Sequence, residues 1–122
     1  MRRTRMPIDL AWWKGKAVQC LTVQQRGLLM DAAALVWESP ESGYFCVSTS
    51  GKISWLEPEQ IKAVLRCDDI DWRALCRGGQ FFSDDDGRWS MPEIVPVAEK
   101  AAAIRANRSR AGIAGAAARW TK

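Results

Sequence analysis

Histidine is missing from the 122 residues altogether, and tyrosine occurs once. Without histidine there is no common general base and no Ser-His or Cys-His nucleophile pair. The four cysteines, Cys20, Cys46, Cys67 and Cys76, include no Cys-x-x-Cys pair. Zinc sites of the finger type thereby lose their spacing and half their usual ligands, and the thiols read as reduced and mostly buried. No Gly-rich loop ending in Lys is present to cradle a phosphate. The run Asp84-Asp85-Asp86 lacks the ligand spacing and closing glutamate of an EF-hand. No apolar run approaches the ~20 residues that span a bilayer. The basic start, Met1-Arg2-Arg3-Thr4-Arg5-Met6-Pro7, leads to Asp9, Lys14 and Lys16 rather than to the apolar stretch of a secretory signal. These absences predict a cytoplasmic chain that is not an enzyme, with no metal, no cofactor, no small-molecule substrate and no membrane partner.

What is present is an ordinary globular composition, 48% apolar and 26% charged, over a length that suits one domain. The net charge of +4 conceals a strong segregation. Residues 1–16 carry five bases, Arg2, Arg3, Arg5, Lys14 and Lys16, against Asp9 alone, a net of +4. Residues 100–122 carry Lys100, Arg105, Arg108, Arg110, Arg119 and Lys122 with no acid, a net of +6. Residues 17–99 hold seven bases and thirteen acids, a net of −6. An acidic body with two basic ends is the pattern of arms that hold phosphate backbones.

Thr22-Val23-Gln24-Gln25 is a capping box, and Leu28, Leu29, Ala32, Leu35 and Val36 form one apolar stripe, so a helix is predicted over 22–38. Ser39-Pro40-Glu41-Ser42-Gly43 breaks it. Tyr44–Ser48 reads as a short strand closed by Ser50-Gly51. A second helix is predicted from near Leu56, with Pro58 early and Ile61, Val64 and Leu65 inward. A third, capped by Asp69 or Asp71, carries Trp72 and Leu75 and stops at Gly78-Gly79. Phe81-Phe82-Ser83 and Arg88-Trp89-Ser90-Met91 flank an Asp-Gly turn and predict a β-hairpin. A last helix follows Pro92, with Val97, Ala98, Ala101, Ala102 and Ile104 on one face, before a Gly/Ala-rich tail in which Gly112 and Gly115 weaken any helix. Trp37, Leu28, Leu35, Leu65, Trp72, Leu75 and Phe82 are the expected core. The order, three helices and then a hairpin, predicts a mainly α, α+β fold of winged helix-turn-helix type. The expected division is a basic N-terminal arm (1–16), a winged-helix domain (17–104) and a basic tail (105–122).

At this point the chain resembles the YdaU-like domain family of phage and prophage replication-associated proteins. The resemblance rests on Leu21-Thr22 ahead of Arg26-Gly27, a helix closing on Trp37, Trp72 in the third helix, Phe81-Phe82…Asp86-Gly87-Arg88-Trp89, and a tail ending Ala118-Arg119-Trp120. It implies a winged helix and a role in DNA binding. No ATP-binding or helicase-loading region accompanies these residues, so either a single module or a protein put to another use is expected.

Two functions are therefore expected in competition. The first is binding of double-stranded DNA through Arg66, Arg73, Arg77 and Arg88 near the third helix and hairpin, with Arg2, Arg3, Arg5, Arg105, Arg108, Arg110 and Arg119 on phosphates. The second is inhibition of a host protein or defence complex, in the manner of anti-CRISPR proteins, by the acidic body. Its candidate residues are Asp84, Asp85 and Asp86 at the hairpin tip, and Trp12 and Trp13, of which one is expected to cap the core and the other to face a partner.

Overall fold

The computed structural model describes residues 6–120, with side chains described as far as Gly112. It is a mixed helix-and-strand fold. The elements are α1 (Leu10–Trp13), α2 (Lys16–Gln19), α3 (Val23–Trp37), β1 (Cys46–Thr49), β2 (Lys52–Trp55), α4 (Pro58–Leu65), α5 (Asp69–Arg77), β3 (Phe82–Ser83), β4 (Trp89–Ser90) and α6 (Val95–Trp120). Among the described residues no helix is long and apolar enough to cross a membrane.

Helix α3 forms where the sequence predicts it. The Thr22 hydroxyl accepts from the Gln25 amide at 3.0 Å, and Gln25 Oε1 accepts from the Thr22 amide at 3.1 Å. Leu29, Ala32, Ala33 and Val36 are fully buried, Leu28 and Trp37 nearly so, and Leu35 is only half-buried. The chain then turns at Gly43, which has φ +97° and lies so close to α6 that a Cβ there would meet the Val95 Cα at 2.8 Å. Only glycine fits both demands.

The region read as one strand, Tyr44–Ser48, divides in two. Tyr44 and Phe45 run antiparallel to β4, with the Phe45 amide donating to the Trp89 carbonyl at 2.9 Å and the Met91 amide to the Gly43 carbonyl at 2.9 Å. β4 thus lies between this segment and β3. From Cys46 the chain leaves that ladder and forms a second hairpin, β1 with β2, in the register Thr49↔Lys52. Ser50 and Gly51 have φ of 52° and 80°, the paired left-handed conformation of the two-residue turn that suits twisted strands. The sequence reading took Ser50-Gly51 as a strand end and missed the return strand.

α4 begins with Pro58 at its first position and contacts the core through Ile61 and Leu65. Val64, expected inward, is 56% exposed, because an eight-residue helix buries a single row. Asp68, not Asp69 or Asp71, caps α5: its carboxylate accepts from the Asp71 amide at 2.7 Å. Arg66 sets this up by ending α4 in a left-handed turn (φ 54°), which leaves Asp69 and Asp71 inside the first turn of α5. The β3–β4 hairpin turns at Asp85–Gly87 as expected, with Gly87 at φ 77°. Its buried aromatic is Phe81 at 3% exposure, whereas Phe82, expected in the core, is 56% exposed. Successive side chains face opposite ways, and Phe81 takes the inner position against Phe45 (5.3 Å between ring centroids) and the half-buried Trp72 (5.4 Å).

α6 packs through Ile94 just before it and Ala98 within it, flanked by half-buried Val97 and Ala101. Ala102 and Ile104, expected on that face, are exposed. The helix does not give way to a separate tail at Ala111 but runs on to Trp120 through Gly112 and Gly115. At 26 residues it is ~39 Å long.

Candidate nucleic-acid interface

α5 is fastened to its neighbours by polar contacts at its acidic start. Asp71, 8% exposed, accepts from Gln25 Nε2 at 2.9 Å and from Gln24 Nε2 at 3.1 Å, which ties α5 to α3. Asp69 accepts from Lys62 Nζ at 2.9 Å, and the same ammonium donates to Glu59 at 2.7 Å, which ties α5 to α4. The Glu59 and Asp69 hydrogen bonds raise the Lys62 pKa, and the Lys62 hydrogen bond lowers that of Asp69. With Asp68 acting as the cap, all three acids at the start of α5 are engaged within the fold. They also lie where a helix dipole favours negative charge.

The consequence falls on the outer face of α5. Ile70, Arg73 and Arg77 recur at helical spacing and are exposed, Ile70 at 75%. The ion pairs among the described residues are both made by Lys62, so no carboxylate lies within 4.0 Å of Arg66, Arg73 or Arg77. Arg73 acts on Asp69 only through space, adding a smaller effect to that of Lys62 in holding the Asp69 carboxyl down. Arg77 also borders a shallow groove of about 420 Å³ between α2 and α5.

Arg88 is placed differently from the other three. Its guanidinium sits 4.4 Å from the centroid of the Trp55 ring and links the two hairpins. At the hairpin tip, Asp84 caps the turn by accepting from the Asp86 and Arg88 amides at 2.9 Å, so only Asp85 and Asp86 project as exposed acids. Trp12 and Trp13 are not divided into one buried and one free ring. They lie on a helical turn rather than a strand, and both are half-buried against the core. Their rings stand edge to face at 5.9 Å, and Trp12 Nε1 donates to Gln80 Oε1 at 3.0 Å.

Arg105, Arg108 and Arg110 are exposed along α6, and Arg110 donates to the Asn107 side chain. Arg2, Arg3 and Arg5, and the Arg119 side chain, lie outside the described residues. Burial pushes the Cys67 thiol up to about 11 and raises Cys76 as well, so both stay protonated and weakly nucleophilic at neutral pH. Among the described residues no three His, Cys, Asp or Glu side chains are grouped to hold a metal ion. Sequence reasoning missed Lys62 and Gln24 as the anchors of α5. Gln25 was legible only as a cap.

Comparison with protein-family models, with curated proteins and with solved structures found no match to the chain.

Proposed function

We propose that the protein is a non-enzymatic DNA-binding module of winged-helix type, acting in phage or prophage replication or regulation. The observation that carries the reading is the outer face of α5, where Arg73 and Arg77 stand exposed with no carboxylate within 4.0 Å. Two like charges four residues apart on a helix repel by a few tenths of a kcal/mol, a cost that a phosphate or a guanine edge would reverse. The order α3, the Tyr44–Phe45 segment, α4, α5 and the β3–β4 hairpin supports a winged helix, in which α5 would enter the major groove. Asp85 and Asp86 would keep the hairpin tip off the phosphates. The basic segments 1–16 and 100–122 would then supply the sequence-independent affinity.

The test is fluorescence anisotropy of a labelled random duplex titrated with the full chain at two salt concentrations. With ~4–6 phosphates neutralised, the slope of log affinity against log salt is expected at about −4 to −5. Arg73→Ala and Arg77→Ala should each reduce discrimination between sequences by ~1–3 kcal/mol. The exposed Asp85 and Asp86 favour a second reading, a protein that blocks a host or defence complex. It takes over if no duplex binding is seen at about 50 mM salt.

A further inference from the structure

Another surface lies away from α5, where the chain leaving Met6 runs beside the first half of α6. Pro7 and Ile8 on one side, with Val97, Ala101 and Ile104 on the other, enclose an open groove of about 360 Å³. That volume is within the ~300–1,000 Å³ usual for ligand sites. Lys100 stands at its edge. Ile8 and Ile104, its two large aliphatic walls, are 40% and 42% exposed.

The groove is apolar, but its surroundings are basic. Lys100, Ile104 and Arg108 follow one another at steps of four along one side of α6, and residues 100–122 contain no acid. In the sequence, Arg2, Arg3 and Arg5 precede Met6, and they lie outside the described residues. Asp9 also lines the groove, caps α1 by accepting from the Ala11 amide at 2.9 Å, and keeps its charge, which the bases along α6 outnumber. A bare phosphate backbone has no use for an apolar floor. A second copy of the chain would bring another basic α6 against this one.

We propose that this groove binds a short acidic peptide segment of a partner protein. Its apolar side chains would lie between Ile8 and Ile104, and its carboxylates would meet Lys100 and Arg108. The site is separate from α5 and does not depend on the DNA-binding reading.

The probe is a fluorescein-labelled peptide in which three aspartates alternate with leucine and phenylalanine, titrated with the full chain and read by anisotropy. Saturable binding is expected, weakened about tenfold by Ile104→Ser through lost apolar contact and about tenfold by Lys100→Glu. Both positions are exposed, so neither change disturbs the core. A peptide with alanine in place of leucine and phenylalanine should bind at least about tenfold more weakly. The proposal is overturned if either variant binds as tightly as the parent, or if the alanine peptide binds equally well. It is also overturned if nothing binds at about 1 mM peptide, as when the chain's own ends or a second copy cover the groove. Duplex titrations of the same protein keep the two readings apart. Peptide binding without duplex binding overturns only the DNA reading, and duplex binding without peptide binding overturns only this one.

Discussion

α5 is held at its start by Gln24, Gln25 and Lys62 and along its length by Leu75, whereas α6 leaves the body after Ala101 and is exposed from Ala102 to Gly112. Both present arginines. On α5 the acids are close by but hydrogen-bonded within the fold, so the arginines form no salt bridge and stand in a fixed frame. On α6 the acid is Glu99 alone, and Arg105, Arg108 and Arg110 stand on a stretch, Ala102 to Gly112, whose exposure leaves it to local propensity. Alanine supplies that propensity. A rigid presentation suits recognition of particular bases, and a projecting basic helix suits the sequence-independent hold on a polyanion.

The comparison breaks most sharply in the core. Leu75→Ala should cost ~2–5 kcal/mol by leaving a cavity under α5, while Ile104→Ala should change stability by no more than ~0.5 kcal/mol. Urea unfolding of the two variants measures the difference. Equal losses would mean that α6 is packed as firmly as α5. Next in size is Asp71→Ala, which strands the buried Gln25 amide group and should cost ~1–3 kcal/mol. If Asp71→Ala unfolds at the parent's midpoint, the polar latch between α3 and α5 contributes nothing.

A smaller effect of opposite sign is expected on α6. A Cβ at Gly112 meets nothing within 4 Å, so Gly112→Ala should favour the helix by up to ~1 kcal/mol. Circular dichroism should show more helix, with the urea midpoint of the core unmoved.

The smallest effect concerns Lys62. Asp69 has its pKa lowered from 3.8, so its share of stability is complete above 3.8 and is lost as pH falls through the folded value below that. Lys62 has its pKa raised from 10.5, so its share is complete below 10.5 and is lost as pH rises through the folded value above that. The stability difference between the parent and Lys62→Met should therefore be flat between pH 3.8 and 10.5 and shrink at both extremes. Both carboxylate partners of Lys62 are exposed, so the difference is small throughout. A difference that persisted below the folded pKa of Asp69 would assign the effect of Lys62 to its aliphatic stem.

Some of this is legible in the sequence alone. The Thr22–Gln25 capping box and the apolar stripe behind it place α3 almost to the residue, because cap and periodicity are both local. Asp86-Gly87 marks the β3–β4 turn for the same reason. Ser50-Gly51 carried a comparable signal, with Lys52-Ile53-Ser54-Trp55 alternating after it, and reading it as a stop concealed β2. For the candidate site, Arg73 and Arg77 could be named from helical spacing. That they form no salt bridge could not, since three aspartates lie within nine residues of them.

The amino-acid order by itself determined where α3 starts, where the β3–β4 hairpin turns, that no histidine chemistry is possible, and that positive charge gathers at the two ends. These follow from short-range sterics, local hydrogen bonds and composition. The tertiary structure alone decided that Phe81 rather than Phe82 turns inward, that Trp12 and Trp13 both pack down, and that Asp71 is buried between glutamines. It also decided that the chain after Met6 lies beside Val97 and Ile104. Each of these joins residues tens of positions apart, and such pairings are selected by which surfaces fit when the elements close on one core, a choice that local rules leave open.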